Sequence, residues 1–274
     1  MKIVFIKSTW GMTELSLEEK LKRISGAGYD GVEMNVPEEA FERDAFGNLL
    51  SKYGLKFVAQ QWTAGASAAE QKESLKKQFL ANIQCRPLLI NCHTGRDYFS
   101  TADNTELIQE SYALAKEYHV PLTHETHRGR FAYHPGVTAE YLSRIPELKL
   151  TADFSHWCCV SESMLQDHRE SLDLAMKRSI QIHARVGHEQ GPQVSDPRAP
   201  EWKEHLDIHC GWWGKIARYQ KENGLESLIV TPEFGPPNYM ATTPFTREPL
   251  SDLWDINLFM KEKLASVLRG IAGE

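Results

Sequence analysis

Read for its alternation of apolar and polar positions, the chain repeats one unit eight times. KIVFIK (2–7) is a strand-like run, and in ELSLEEKLKRISGAG (14–28) Leu15, Leu17, Leu21 and Ile24 recur at near-helical spacing before glycines that suit a helix stop. The same rhythm predicts strands at GVEMN (31–35), KFVAQQ (56–61), PLLINCH (87–93), PLTHE (121–125), 148–153, 179–185 and 227–233. Helical patterns over 38–53, 66–83, 104–118, 137–145, 161–176, 202–220 and 248–270 separate and follow them. Eight strands, each followed by a helix through mostly short connections, argue for an α/β fold of (β/α)8 TIM-barrel type rather than an open doubly wound sheet. The one long irregular connection, GHEQGPQVSDPRAPE (187–201), follows the seventh strand, where it would hang over the barrel mouth as a lid or substrate loop.

Composition narrows the class. A length of 274 residues suits a single barrel domain spanning 1–274, since such barrels take about 250 residues. The net charge of −6 provides no positive field for a phosphate backbone, so a nucleic-acid partner is not expected. Five cysteines without a CxxC suggest neither a disulfide framework nor a zinc ribbon, and a reducing, cytoplasmic setting fits. No signal-peptide core or membrane-spanning run is evident. Nor is there a dinucleotide fingerprint, phosphate loop, GxSxG or HExxH motif.

The chemistry gathers at strand ends. The runs containing PLTHE, LKLTAD, SIQIH and SLIVTPE finish in Glu125, Asp153, His183 and Glu233, on four successive strands. In a barrel this is the end that carries the active site. Residues two apart share a face, so Thr123, Thr151, Gln181 and Thr231 should lie one layer below, able to hydrogen-bond the residues above. The outward positions Leu122, Leu150, Ala152, Ile182, Leu228 and Val230 are apolar, with His124 the exception. Three carboxylates and one imidazole form an oxygen-rich set for one divalent cation: Mn²⁺ foremost, with Mg²⁺, Co²⁺ or Zn²⁺ as alternatives. Such an ion could chelate adjacent oxygens of a sugar and stabilise an enediolate as a Lewis acid, with neighbouring carboxylates as bases.

These residues bring the chain close to a known group. It resembles the xylose isomerase-like TIM-barrel superfamily, especially its sugar phosphate isomerase/epimerase and ketose 3-epimerase branches. The likeness runs from GYDGVEMN to TPEF and is carried by the strand-five Glu, by DFSH, by HAR and by the final Glu. The resemblance implies that Glu125, Asp153, His183 and Glu233 bind the metal, with Glu125 and Glu233 doubling as acid/base groups on opposite faces of the substrate. It also implies that His156 and Arg185 touch substrate, Arg185 through an oxygen or an anionic group, and that His93 and Glu33 belong to the pocket. The expected partner is a small sugar or sugar phosphate, and a homo-oligomer is compatible with the fold.

Other residues have plainer readings. His127, Arg128 and Arg130 suit either an anion grip or a solvated loop. His205 and His209 lie four apart on a helix, away from any strand end, and read as surface or interface positions. Trp10 and Trp62 follow strands one and three and could wall the pocket, whereas Trp212 and Trp213 suit core or subunit contact. Cys158 and Cys159 have no evident activating partner. Against the isomerase/epimerase reading stand an endonuclease IV-like multi-zinc nuclease, an inosose dehydratase-like lyase and a non-catalytic sugar-binding barrel. The nuclease would require extra histidines, and strand three ends in Gln60, Gln61 and Trp62 instead.

Overall fold

The computed structural model describes residues 1–273, and in it the eight runs close into a parallel barrel in the order β1 to β8. The first half comprises β1 (Lys2–Ser8), α1 (Leu17–Gly26), β2 (Gly31–Met34), α2 (Ala40–Tyr53), β3 (Lys56–Trp62), α3 (Ala68–Gln84), β4 (Leu89–His93) and α4 (Thr101–Glu117). The second half comprises β5 (Leu122–Glu125), α5 (Pro135–Arg144), β6 (Leu150–Ala152), α6 (Ser155–Val160), α7 (Arg169–Arg178), β7 (Ser179–Ala184), α8 (Lys203–Glu222), β8 (Ser227–Pro232) and α9 (Leu253–Ala272). A single 3-10 turn, Pro200–Trp202, leads into α8. None of the helices among the described residues is long and apolar enough to cross a membrane.

Local signals fix several helix ends. Ser16 and Ser67 each form a reciprocal capping box with Glu19 and Glu70, satisfying amides that a helix start leaves open. Gly54 ends α2 with φ 64°, a left-handed conformation that costs a glycine little. One boundary differs from the sequence pattern. The helix predicted over 161–176 begins only at Arg169, as α7, and an unpredicted buried turn of helix, α6, precedes that range just after β6. The apolar Trp157 and Cys158 of α6 pack into the core, whereas the stretch between the two helices is irregular.

Strand parity sorts the side chains. The main core lies between the sheet and the helices, where Leu122, Leu150, Ala152, Ile182, Leu228 and Val230 face outward as expected. Inside the barrel, Val4, Ile6, Val58, Leu89 and Ile229 form a separate apolar plug. Burying such side chains stabilises the fold by roughly 1.5–3 kcal/mol each. Above the plug the interior turns polar, and that change of layer positions the site.

Candidate active site

The polar interior has two storeys. On the lower one, Thr123 and Thr151 share a 2.7 Å hydrogen bond, Thr151 donates to Gln181 Oε1 (2.9 Å), and Gln181 Nε2 donates to Glu33 Oε2 (2.9 Å). Thr231 donates to the same carboxylate at 2.8 Å, and Asn91 Nδ2 reaches its other oxygen at 3.2 Å. The layer predicted to hydrogen-bond the residues above it therefore bonds mainly within itself, around Glu33. Threonine side chains are too short to span a full storey of the barrel. Contact upward comes from Gln181, 3.3 Å from His183 Nε2, and from Asn91, which donates to Glu125 Oε2 at 2.8 Å.

Glu33 is fully buried and lines no part of the mouth cavity. Its carboxylate belongs to the lower storey, accepting from Gln181 and Thr231. It meets His183 Nε2 at 2.9 and 3.1 Å through its two oxygens. That contact turns His183 Nδ1 toward the upper storey.

There the four strand-end residues converge. One donor atom from each of Glu125, Asp153, His183 and Glu233 falls within 4.8 Å of the others, and all four residues are buried. His183 Nδ1 lies 2.8 Å from Glu233 Oε2 and 3.2 Å from Glu125 Oε2. Despite those distances it has no well-aligned hydrogen-bond partner. A buried ring nitrogen without a well-aligned partner is costly, and this one is directed among carboxylate oxygens. An imidazole with three carboxylates at these separations fits a divalent cation.

Electrostatics bind the cluster together. Burial opposes ionisation of Glu125, yet the His93 and His183 imidazoles beside it hold its carboxyl well below the usual range. Burial likewise disfavours charge on His183, but Glu233, Glu33 and Glu125 raise its pKa well above the ordinary value. Asp153 is pushed up to about 6 by burial and by the neighbouring carboxylates, against the pull of Arg185. The Arg185 guanidinium donates to Asp153 Oδ2 and stands 3.8 Å from Glu233, while Ser155 supplies its N–H (3.1 Å) and hydroxyl (2.5 Å) to Asp153 Oδ1.

The mouth cavity above this floor has a volume of about 460 Å³. Trp10, Trp62 and Tyr239 supply aromatic walls, and Gln60, His93, His127 and Arg185 supply polar edges. His93 stands 3.0 Å from Glu125 and lies flat against Trp62, with ring centroids 3.7 Å apart. His156 does not line the cavity. It sits on α6 behind His127 (3.9 Å between rings), with Nε2 3.0 Å from an Arg185 nitrogen. Burial, His127 and Arg185 hold it well below the ordinary histidine pKa.

The neighbouring charged loop divides as well. His127 reaches the cavity, and burial lowers its pKa to about 3. Arg130 instead turns inward to the carbonyls of Thr63 and Gly95, and Arg128 lies over the Tyr239 ring at 5.1 Å. His124 faces outward between Thr94 and Ser111.

No residue of 187–201 lines the cavity; the wall on that side is Tyr239, from the segment after β8. The 187–201 loop is tied down beside it, because Gln193 exchanges two hydrogen bonds with the backbone of Gly235. His209 is buried, contrary to the surface reading, and accepts the Gly187 N–H at 3.3 Å. Its helical spacing gave no sign of that role. Asn91 was also missed, although its position two residues before His93 placed it on the inner face.

No protein-family model matches this sequence, and no curated protein matches it either. Solved structures do share the fold. A xylose isomerase-like TIM-barrel protein from Mycobacterium smegmatis, solved in complex with magnesium, aligns over 98% of this chain and 97% of its own, with TM-score 0.67 and 10% identity. The E. coli 3-keto-D-glucoside 4-epimerase aligns over 97% of this chain and 100% of its own, with TM-score 0.63 and 12% identity. Endonuclease IV from Thermus thermophilus aligns over 98% and 100%, with TM-score 0.58 and 13% identity. The chain thus shares its (β/α)8-barrel fold with these structures, among which are a sugar epimerase and a nuclease.

Proposed function

We propose that the protein is a divalent-metal-dependent isomerase or epimerase of a sugar or sugar derivative, acting by proton transfer beside a carbonyl through an enediolate. The observation that carries this reading is the convergence of four donor atoms from Glu125, Asp153, His183 and Glu233 beneath an aromatic-walled cavity. A divalent cation held by these four residues, Mn²⁺ foremost, would polarise the substrate's carbonyl and hydroxyl oxygens. Glu125, whose carboxylate lines the cavity floor, is placed to remove a carbon-bound proton. Glu233, oriented by the Gln60 amide at 3.3 Å, serves as the second acid/base group on the opposite face. Trp10, Trp62 and Tyr239 exclude water around the reacting carbon, and His93 and Arg185 contact substrate oxygens. Delivery of a proton to the same carbon from the opposite face gives an epimer, delivery to its neighbour an isomer, and loss of hydroxide a dehydrated product.

The test is metal analysis followed by incubation with ketoses, aldoses, inososes and their phosphates in D₂O, reading deuterium at carbon. Glu125→Gln and Glu233→Gln should each lower exchange at least ~100-fold. Metal content is measured alongside, which separates a lost base from a lost ligand. Wild-type exchange in both variants would sink the mechanism. A second group, His93, Glu125 and His127, also brings donor atoms within 4.8 Å and favours the nuclease alternative. Zinc bound at more than one ion per chain together with cleavage of abasic DNA would establish that reading instead.

A further inference from the structure

Trp62 is held more firmly than an exposed tryptophan ordinarily is. Its ring lies on His93, and the Gln78 amide fixes both its backbone groups, accepting from the N–H at 3.0 Å and donating to the carbonyl at 2.6 Å. Even so, 40% of its surface is open. Core packing does not account for a large aromatic that is fixed in place and left accessible, whereas a binding platform does.

Trp62 stands between two cavities. Asn35, Gln60 and Trp62 line both the 460 Å³ active-site cavity and a second groove of about 520 Å³. The groove's far wall is one face of α3, where Ser74, Lys77, Gln78 and Ala81 recur at helical spacing. Asn35 donates to the Gln60 carbonyl and Gln60 to Glu233, which orients both amides at the junction. Each has a second N–H and an oxygen to offer a ligand. A single cavity of this size already lies within the range of about 300–1,000 Å³ that holds drug-sized molecules, well beyond one monosaccharide.

Charge selects the ligand further. The groove presents Glu38 and Glu39 against the single ammonium of Lys77, a poor setting for a phosphate. In the active-site cavity, Arg185 is committed to Asp153 through Nη2 and keeps only Nη1 without a partner, one N–H-bearing nitrogen that suits a sugar oxygen. From these features, and resting on the sugar reading above, we infer that the substrate is an unphosphorylated glycoside of disaccharide size. The reacting sugar occupies the active-site cavity, and a second ring crosses Trp62 into the groove beside α3.

Calorimetric titration of the Mn²⁺-loaded protein with D-fructose, D-fructose 6-phosphate, turanose, maltulose, leucrose and isomaltulose tests this. The last four carry a glucosyl ring on a free ketose. At least one should bind about tenfold or more tighter than both fructose and its phosphate. Ala81→Trp, or Lys77→Trp from an exposed position on the same wall, should abolish that gain and leave fructose binding unchanged. The inference is overturned if the phosphate binds tightest, if no glucosyl-ketose exceeds fructose, or if the gain survives in a folded variant of either kind. Because binding rather than turnover is read, tight disaccharide binding without deuterium exchange would refute the isomerase reading and leave this one standing.

Discussion

Replacing Glu33 by Gln probes the support beneath the cluster without altering any of the four donors. The Glu33 carboxylate faces four N–H or O–H groups: His183 Nε2 at 2.9 Å, Gln181 Nε2 at 2.9 Å, Thr231 Oγ1 at 2.8 Å and Asn91 Nδ2 at 3.2 Å. An amide of the same shape keeps one oxygen and turns the other acceptor into a donor, so at least one buried pair becomes donor against donor. Such a loss costs about 1–3 kcal/mol. It also removes the negative charge that fixes His183 with Nδ1 toward Glu125 and Glu233. Partners of this kind, standing behind a ligating histidine, are typically worth about 10–100-fold in metal affinity. The expected result for Glu33→Gln is therefore Mn²⁺ binding weaker by about 10–100-fold, measured by competition with a chromogenic chelator, with circular dichroism confirming the fold. Affinity within about twofold of wild type in a folded variant would refute the argument, because His183 would then need no anchor.

Three further outcomes follow from the geometry. Since three carboxylates raise the His183 pKa, a bound cation must displace its proton, so Mn²⁺ affinity should rise with pH between about 6 and 8; a flat titration curve would contradict this. Lys7 is buried on the outer face of β1 with the Ser8 carbonyl at 2.6 Å, and burial lowers its pKa from 10.5 to about 8. That displacement is a cost of about 3 kcal/mol, present in full below pH 8 and fading toward pH 10.5, because over that window the unfolded chain binds more protons than the folded one. Lys7→Met should thus stabilise the protein by about 1–3 kcal/mol at pH 7 and by less at pH 10 in urea titrations, and an equal gain at both would exclude the charge as its origin. Finally, a β-carbon on Gly187 would stand 2.7 Å from the Ser155 Cα, so Gly187→Ala should displace the Ser155 cap on Asp153, cost about 1–3 kcal/mol and weaken metal retention; unchanged melting and metal content would show that the backbone yields freely.

The strands and the four-residue convergence were legible in the sequence because period-two alternation reports which face a residue occupies, and the strand ends agreed with one another. Height within the barrel was not legible in the same way. Strands tilt and stagger on closing, so the carboxylate of Glu33, near the end of its run like the others, meets Gln181 and Thr231 of the lower storey. The placement of His156 was illegible for a different reason. DFSH reads as a loop after a strand, and only tertiary packing of Trp157 makes it a helical turn that carries the imidazole behind His127. The contact of His209 with Gly187 joins residues 22 apart through a buried hydrogen bond, which helical periodicity does not encode.

The seam between β1 and β8, where Ile3 meets Leu228 and Phe5 meets Val230, makes assembly order matter during synthesis. A nascent chain that has emerged only through β7 already carries Glu125, Asp153 and His183. It also exposes two unpaired strand edges, β1 and β7, of the kind that recruits other chains. The last strand sheathes both edges and delivers Glu233 in one movement. A ribosome that stalls before residue 227 therefore releases an aggregation-prone fragment that lacks the fourth donor.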